Sequence, residues 1–424
     1  SPYKGYNPNA IITSKNKAES HRKLLNSFNL IKEQGFNTVR IVGIGEPNIS
    51  DDDMLSVTAF TPGNSNEKIT LKNDSIIDTY LNSIQEVLNI AEEANLKTIF
   101  LIRIRPESLA TEYLLTQFCK KFKDNTNILA IDIFNEPLYF DKPDKSKEEV
   151  FHIVNRWKKI IDTYAPNHLV TIGLAGIREV FRWDPNILNV DFISYHPYEY
   201  EPEQVRNEIY WYGKYTKTPW IIGETAIPAD NDSITYKQQL QFAKNTIEQT
   251  FNCGGSGYSW WQYQDVDWQK YHANFMGILN WYGQSTTKNN EPVFGTVKPV
   301  AKAFNNYLVA PNSENCICFD NYYNYSNSTA FKLIGKIVDE NNNPIEGAVI
   351  LAWNKGWSHS YHTVTKKDGS FELLGSYPFY HWMASATNLT TVRGELNPQE
   401  AIEENGYPTI DLGLKTLDNL TFLK

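Results

Sequence analysis

Short apolar runs alternate with amphipathic segments over roughly the first 310 residues of this 424-residue chain. Apolar residues three and four positions apart, such as Ile77, Leu81, Ile84 and Leu88, indicate helices with one buried face. Repeated strand–helix units predict the α/β class, and eight of them in this length favour a closed (β/α)8 TIM barrel over an open sheet. The predicted strands are residues 4–7, 37–43, 96–103, 128–134, 168–174, 190–195, 219–224 and 256–261.

Helix-like segments lie between these runs, with one short connection. After the fifth strand the sequence leaves room for about one helical turn, around residues 178–184. The predicted helices are residues 18–34, 76–95, 107–123, 147–163, 202–216, 234–252 and 297–308.

The pattern changes after the barrel. Residues 311–330 are polar and turn-rich, and residues 331–338 and 347–353 then alternate like strands. Residues 363–365, a turn at 367–370 and residues 371–373 predict a hairpin. We therefore predict a barrel at 1–310, a linker at 311–330 and a small antiparallel, all-β sandwich at 331–424. The motifs at 335–340, 344–348 and 368–371 resemble the carboxypeptidase-regulatory-like (transthyretin-like) domain, which implies a fold but no chemistry.

Composition excludes several classes of partner. With a net charge of −9 the chain has no basic surplus for nucleic acid or an anionic membrane, and no apolar run is long enough to span a bilayer. The four cysteines are too few and too irregularly spaced to predict a disulfide framework, and Cys119 reads as a packing residue on an amphipathic helix. No spacing typical of a zinc site is present, so we expect no metal and no cofactor.

Two glutamates follow predicted strands directly. Glu136 ends the run Ile-Asp-Ile-Phe-Asn-Glu, and Glu224 ends Ile-Ile-Gly-Glu. They are 88 residues apart, which is three β/α units of about 29 residues and assigns them to strands 4 and 7. Carboxylates at the carboxyl ends of barrel strands occupy the catalytic face, and a pair of them indicates hydrolysis of a glycosidic bond.

The barrel residues resemble the retaining glycoside hydrolases of family 5. That resemblance implies a general acid/base at Glu136 in the Asn-Glu-Pro motif and a nucleophile at Glu224. It also implies substrate-site roles for the remaining matched positions, which are Arg40, Asn135, His196, Tyr198 and Trp261.

Each implied role has a physical reason. Arg40 and the hydroxyl of Tyr198 stabilise the charged form of Glu224, and His196 hydrogen-bonds toward Glu136 or a sugar hydroxyl. Asn135 bonds the 2-hydroxyl of the substrate, an interaction that strengthens in the transition state. Two alternatives stay open: Arg40 as an ordinary ion-pair partner inside the barrel, and His196 as a satisfied core histidine.

One stretch departs from the family pattern. A histidine is common after the third strand, whereas this chain has Arg103 and Arg105. Either arginine could contact a sugar or pair with Asp132. Long segments after strands 2 and 8 are expected on the catalytic face, and the second is rich in aromatic residues that could stack on sugar rings.

These observations favour a retaining hydrolase of β-glucan- or β-mannan-type poly- or oligosaccharides that is secreted, periplasmic or attached to the cell surface. The chain starts at Ser1 and shows no signal peptide, so localisation is inferred from function alone. The alternatives are a catalytically weak carbohydrate-binding protein and a transglycosylase that uses the same residues. Endo or exo action, the sugar, the oligomeric state and the role of the sandwich stay open, although its Trp353, Trp357, Tyr361 and Trp382 could form a sugar platform.

Overall fold

A computed structural model describes twelve stretches of the chain. They are residues 16–41, 46–49, 55–61, 64–70, 74–102, 109–140, 144–199, 201–229, 234–266, 272–305, 311–324 and 330–423.

A curled parallel sheet forms the centre of the first part. Within the described residues it has six strands in the order β1-β5-β6-β7-β8-β9, and an isolated parallel bridge from Ile222 to Tyr258 continues it. The strands are β1 (Thr38–Ile41), β5 (Lys97–Leu101), β6 (Ile128–Asn135), β7 (Leu169–Leu174), β8 (Phe192–Tyr195) and β9 (Trp220–Ile222). The predicted class, a TIM-like barrel followed by an all-β part, is confirmed. The strand predicted at 4–7 lies outside the described residues.

Helices cover the outer face of this sheet close to their predicted positions. A capping box starts one of them, because the Ser146 side chain accepts from the Glu149 N–H while Glu149 caps the Ser146 N–H. The helices are α1 (Lys17–Glu33), α2 (Asp74–Glu93), α3 (Leu109–Phe122), α4 (Pro137–Phe140), α5 (Lys147–Tyr164), α6 (Pro202–Tyr215) and α7 (Tyr236–Asn252). Of the helix predicted at 297–308, residues 297–305 are described, and they contain a 3-10 turn, Pro299–Ala303, which begins at a proline.

The long segment after β1 contains a small antiparallel sheet. Its strands in the described ranges are β2 (Glu46–Ile49), β3 (Leu55–Thr61) and β4 (Asn64–Thr70). A second small sheet follows the barrel strands and pairs β10 (Gln284–Thr286) with β11 (Pro292–Phe294).

The fifth repeat has a short connection, as predicted. Residues 175–191 are all described, and they contain the 3-10 turn Ile177–Phe181 where the repeat would place a full helix. A barrel without a helix at this position has an apolar flank that another element must cover.

Two sheets make up the chain after residue 330. Among the described residues, one has the order β15-β12-β19-β18 and the other β14-β13-β16-β17. The strands are β12 (Phe331–Asp339), β13 (Val349–Trp353), β14 (Ser360–Val364), β15 (Ser370–Gly375), β16 (His381–Ser385), β17 (Thr391–Glu395), β18 (Ile402–Glu404) and β19 (Tyr407–Leu417).

Two details of the predicted sandwich are wrong. β14 pairs with β13 and β15 pairs with β12, so the turn at Gly369 crosses between sheets and does not close a hairpin. β12 and β19 are parallel, so the sandwich is not wholly antiparallel. A strand–turn–strand pattern fixes the turn, but it does not fix the sheet that each strand joins.

The sandwich covers the flank at the short fifth connection. The Thr391 hydroxyl donates to Phe181 O at 2.7 Å, and the buried Lys147 ammonium bridges Asp184 and Ala386 O at 2.9 Å each. Six sandwich side chains belong to the same hydrophobic cluster as the barrel: Val349, Leu351, Trp353, Val364, Met383 and Leu420.

A disulfide links Cys253, after α7, to Cys316. The irregular cysteine spacing did not predict this pair. Cys119 is buried in α3, as predicted. Over the described part of the chain, no helix combines the length and apolar character that a membrane span needs.

Candidate active site

The predicted site residues converge at the carboxyl ends of the parallel strands. Arg40 lies in β1, Asn135 ends β6, and Glu136 follows it. His196 and Tyr198 follow β8, and Glu224 lies two residues beyond β9. Because all these strands are parallel, their carboxyl ends meet at the same end of the curled sheet. Barrel enzymes hold their reactive groups at this end, the catalytic face of the barrel.

Arg40 connects three strands through its guanidinium group. Nε donates to Asp132 Oδ2 at 2.7 Å, Nη2 donates to Asn135 Oδ1 at 2.9 Å, and Nη1 donates to Glu224 Oε1. Only 6% of the Arg40 side chain is exposed. Burial by itself lowers the pKa of Arg40, but the nearby Asp132 and Glu224 raise it by more than burial lowers it. The pKa is therefore above its ordinary value, and the guanidinium stays charged.

Glu224 is held on both sides. Arg40 donates to one carboxylate oxygen, and the Tyr198 hydroxyl donates to the other at 3.1 Å. Burial raises the pKa of Glu224 above its ordinary value, while Arg40 and the Tyr198 hydroxyl act in the opposite direction. The carboxylate is therefore buried and oriented by two donors.

Glu136 has a backbone conformation that L-residues rarely adopt, with a φ of 47°. Its N–H donates to Gly173 O, and its own carbonyl accepts from the Tyr139 N–H, both at 2.9 Å. These bonds hold the strained residue at the end of β6 and direct its chain away from the strand. Left-handed backbone at a non-glycine residue is a common feature of functional sites.

His196 lies between the two carboxylates. Its Nδ1 is 3.0 Å from Glu136 Oε1 and 3.8 Å from Glu224 Oε1, and its Nε2 is 3.4 Å from Ser194 Oγ. Burial lowers the pKa of His196 to about 3, so the imidazole is neutral at ordinary pH. One oxygen of Glu136 and one of Glu224 lie within 4.8 Å of each other, with a His196 nitrogen inside the same limit.

Two glycines make room for the imidazole. A Cβ on Gly173 would lie 2.6 Å from His196 Cε1, and a Cβ on Gly223 would lie 1.7 Å from Ser194 Oγ and 3.0 Å from His196 Nε2. Neither glycine was predicted as a site residue, and neither was Ser194. A glycine near the end of a buried strand is the sequence signal that could have indicated this close approach.

A second layer of polar groups lies behind Glu136. The carboxylate of Glu179, which is 1% exposed, accepts from the N–H groups of Leu138 and Ala175 at 3.2 and 3.1 Å. Arg178 donates to the hydroxyl of Tyr139 at 2.8 Å. Burial raises the pKa of Glu179 to about 8. These contacts fix the chain that follows Glu136.

Other predicted residues fall outside this cluster or outside the description. Trp261 is partly buried, and its N–H donates to Thr225 O at 3.2 Å, which positions it beside the chain that carries Glu224. Arg103 and Arg105 lie outside the described residues. Asp132, which the sequence offered as a partner for either arginine, accepts a hydrogen bond from Arg40 instead. Arg40 therefore forms an ion pair inside the barrel and also contacts Glu224.

Among the residues that the structure describes, two groups of side chains have the composition of a cation site. Glu136, His196 and Glu224 form one, but the guanidinium of Arg40 already supplies positive charge to Glu224 there. Glu199 and Glu208 with His362 of the sandwich form the other. In that group His362 Nε2 is 3.7 Å from Glu199 Oε1, and burial lowers the pKa of His362 to about 4.

Comparison with solved structures gives the same fold at low identity. A variant of the GH5_18 protein from Streptomyces cattleya, in complex with Manβ1-4GlcNAc, is 13% identical with a TM-score of 0.50, over 76% of this chain and 81% of that one. The exo-β-1,4-mannosidase Op5Man5 from Opitutaceae bacterium strain TAV5 is 15% identical with a TM-score of 0.49, over 68% and 55%. No curated protein matches the sequence.

The sequence also matches the model of one protein family. Residues 13–265 match the family described as cellulase (glycosyl hydrolase family 5), and this range includes the strands that carry all the polar residues of the cluster. Because the match covers more than half of the 424 residues, the chain belongs to glycosyl hydrolase family 5 and is a glycoside hydrolase.

Proposed function

We propose that this protein is a retaining β-glycosidase that acts by double displacement, with Glu224 as nucleophile and Glu136 as general acid and base. The observation that carries the proposal is that one oxygen of Glu136 lies within 4.8 Å of one oxygen of Glu224, which favours a closely spaced pair over a widely separated one. Retaining enzymes hold their carboxyl groups about 5–5.5 Å apart, whereas inverting enzymes need about 6.5–9.5 Å to admit a water molecule.

The surroundings of Glu224 support the nucleophile role. In the first step a Glu224 oxygen bonds to the anomeric carbon as the glycosidic C–O bond breaks. Arg40 and Tyr198 hold this carboxylate with one donor on each oxygen, so they favour its ionised form and orient it before the substrate arrives. These two hydrogen bonds also limit rotation of the carboxylate, which keeps it in one orientation for attack on the sugar.

The surroundings of Glu136 support the acid/base role. Glu136 gives its proton to the departing oxygen and then takes one from the water that releases the sugar from Glu224. Its 16% side-chain exposure is twice that of Glu224, which suits a group that meets both a leaving group and water. The neutral His196 keeps it hydrogen-bonded without adding a charge.

Asn135 supports sugar recognition by the same site. Its Oδ1 accepts from Arg40, so its Nδ2 remains to donate toward a substrate hydroxyl. A bond to the 2-hydroxyl strengthens as positive charge develops at the anomeric carbon. Trp261, beside the Glu224 chain, is proposed as a surface under the sugar ring.

We assign the substrate class as β-linked glucans or mannans and their oligosaccharides, in keeping with the family of the cellulases. The mechanism assigned here needs no cofactor. The protein is placed outside the cytoplasm, and the Cys253–Cys316 disulfide supports this because disulfides persist in oxidising compartments.

The test compares wild type with Glu136→Ala and Glu224→Ala on aryl β-glucosides and aryl β-mannosides. Each variant should lose at least about 10³-fold in kcat/KM on substrates with a poor leaving group. Azide should restore turnover by entering the space that the missing carboxylate leaves. It should give the β-glycosyl azide with Glu136→Ala and the α-glycosyl azide with Glu224→Ala.

Glu92→Gln, on the exposed surface of α2, is the matched control and should behave as wild type. Exchange of the two azide products would reverse the roles of the glutamates. Wild-type rates in either alanine variant would remove that residue from the mechanism.

A further inference from the structure

At one end of the sandwich, some aromatic side chains are buried and others are exposed to solvent. Trp353 and Trp382 are 9% and 5% exposed, and Tyr361 is partly buried against Phe379. Trp357, in contrast, is 56% exposed. Isolated exposed aromatic residues are ordinary, but this one belongs to an ordered group, which is typical of a binding surface.

The turn between β13 and β14 holds Trp357 in place. Its φ is 53°, a left-handed conformation that is costly for a bulky side chain. The Trp357 N–H donates to Asn354 O at 3.0 Å, the Asn354 N–H donates to His359 O at 3.1 Å, and the Asn354 side chain donates to Ser358 at 2.8 Å. The turn therefore presents the indole to solvent in one fixed orientation.

The rings form one stack of three and a separate tilted pair. Trp357 stacks on Trp353 with centroids 4.6 Å apart and planes at 27°, and His381 stacks on Trp353 at 5.4 Å and 24°. Tyr377, which is 44% exposed, contacts His359 at 4.1 Å. The Tyr380 N–H donates to Trp353 O, which brings the two loops to the same end of the sheet. We name these five rings, at 353, 357, 359, 377 and 381, the aromatic platform.

Contacts with α6 locate the platform relative to the glutamates. α6 starts at the catalytic face after β8 and runs away from it. Trp211, in its last turns, donates to Gly347 O at 2.9 Å, whereas His362, which pairs with Leu351, contacts Glu208 and Glu199. β13 therefore runs back toward the catalytic face.

Trp353 lies two residues beyond Leu351, which is about 7 Å farther toward that face. The turn that carries Trp357 therefore lies at the end of β13 that is nearer the catalytic face, on the side of Glu199.

We propose that the aromatic platform is a carbohydrate-binding site that stacks sugar rings of a β-glucan or β-mannan chain outside the catalytic pair. The proposal takes only its ligand class from the proposed function. Pyranose rings present apolar C–H faces that fit a flat, exposed indole, and a fixed ring loses little conformational entropy on binding. The platform thereby adds affinity for long chains and none for small aryl glycosides.

The test is affinity electrophoresis of the full-length protein in gels that contain soluble glucomannan. Glu136→Gln is the parent, so that the polysaccharide is not cut during the run. The comparison variants are Glu136→Gln/Trp357→Ala, Glu136→Gln/Trp357→Phe and Glu136→Gln/Leu414→Ala. Leu414 is the matched control, because it is 53% exposed in the same sandwich but lies on the other sheet.

We expect the parent to be retarded, the Trp357→Ala variant to bind about tenfold more weakly, and the Trp357→Phe and Leu414→Ala variants to bind much as the parent does. Equal retardation of the parent and the Trp357→Ala variant would overturn the proposal, as would no retardation of the parent. Retardation that depends on Trp357, in a protein whose wild type cleaves no glycoside, would support the platform while contradicting the proposed hydrolysis.

Discussion

At the scale of single residues, the site depends on how one buried positive charge is shared between two buried carboxylates. Asp132 and Glu224 are both buried carboxylates, and the one guanidinium of Arg40 bonds to both. Burial raises the pKa of each acid, and Arg40 lowers both of them part of the way. Arg40 thus favours the ionised form of Glu224 and fixes the orientation of the Asn135 amide.

Tyr198→Phe should move the acid limb of the kcat/KM profile to higher pH. The nucleophile reacts when ionised, and its pKa already lies above 4.5 because of burial. The lost hydroxyl stabilised the charged form, so its removal raises the pKa of Glu224 further and activity then appears only at higher pH. We also expect a loss of about tenfold or more in kcat/KM at a pH below the wild-type limb. An unchanged limb would exclude this role.

Gly223→Ala should disturb the site without touching either glutamate. The added Cβ would lie 1.7 Å from Ser194 Oγ and 3.0 Å from His196 Nε2, so the Ser194 hydroxyl must move and the imidazole that contacts Glu136 must shift. We expect a fall in kcat/KM of about 10²-fold with the fold retained, measured beside circular dichroism.

The added change Ser194→Ala removes the closest contact and should restore part of the activity. Gly356→Ala, where a Cβ meets nothing within 4 Å, is the tolerant control. Wild-type activity in Gly223→Ala would show that the position of His196 is unimportant.

The sequence predicted where the two glutamates lie but not the residues that shape their surroundings. Glu136 and Glu224 were predictable because each ends an apolar strand. Gly223 and Ser194 meet only when β8 and β9 pair, a contact between neighbouring strands that leaves no local pattern. Asp132 has a signal, because an aspartate inside a buried strand needs a charged partner, but the sequence does not name that partner.

At the scale of elements, a buried ion pair holds together two segments of the chain. One follows β9, and the other is the aromatic segment after the predicted eighth strand. Lys298 Nζ donates to Asp265 at 2.7 Å and to Phe275 O at 2.9 Å, and both charged side chains are fully buried. The Ala229 N–H also donates to Phe275 O at 2.9 Å. This network joins the aromatic segment to the chain that follows Glu224.

Lys298→Met should destabilise the protein by about 3–5 kcal/mol, because it leaves Asp265 charged and buried. Urea unfolding measures the change. The double variant Lys298→Met/Asp265→Leu removes both charges and should recover a large part of the loss. Lys302→Met, on the exposed side of the same 3-10 turn, is the control and should change little. A similar loss at Lys302 would show that general helix propensity dominates.

Elements with strong periodicity were predictable, and those decided by tertiary contacts were not. α2 and α5 have clear apolar faces, and both match their predicted ranges closely. The pattern after β14 indicated a hairpin, but β15 joins the other sheet because Phe371 and Leu373 pack in the core of the sandwich. Strand pairing is therefore a property of the assembled core, which local spacing does not record.

At the scale of the whole molecule, the sandwich takes the place of a barrel helix. The short turn Ile177–Phe181 leaves a flank between α5 and α6, and the sheet that contains β13 and β16 covers it. Lys147 and Asp184 close the contact with a buried ion pair that also reaches Ala386 O. Six sandwich side chains are consequently shared with the barrel core, while other sandwich residues form a second core between the two sheets.

This shared core predicts that the barrel does not fold alone. A chain that ends at residue 324 would expose Val180, Phe181 and Trp211 to water, so it should aggregate or bind a hydrophobic dye. The intact protein should unfold in a single calorimetric transition whose van't Hoff and calorimetric enthalpies agree. Leu414→Ala, on the outer sheet, should leave that transition nearly unchanged. Two separate transitions, or a monomeric truncated barrel with native circular dichroism, would contradict the account.

The central claim is a retaining mechanism run by Glu224 and Glu136. The most direct test follows the anomeric proton signals by NMR while the wild-type protein cleaves an aryl β-glycoside, before the released sugar equilibrates. Two displacements restore the original configuration, so the β-anomer should appear first and the α-anomer only later by mutarotation. The α-anomer as first product would mean that water attacks directly, and it would contradict the assignment of Glu224 as nucleophile.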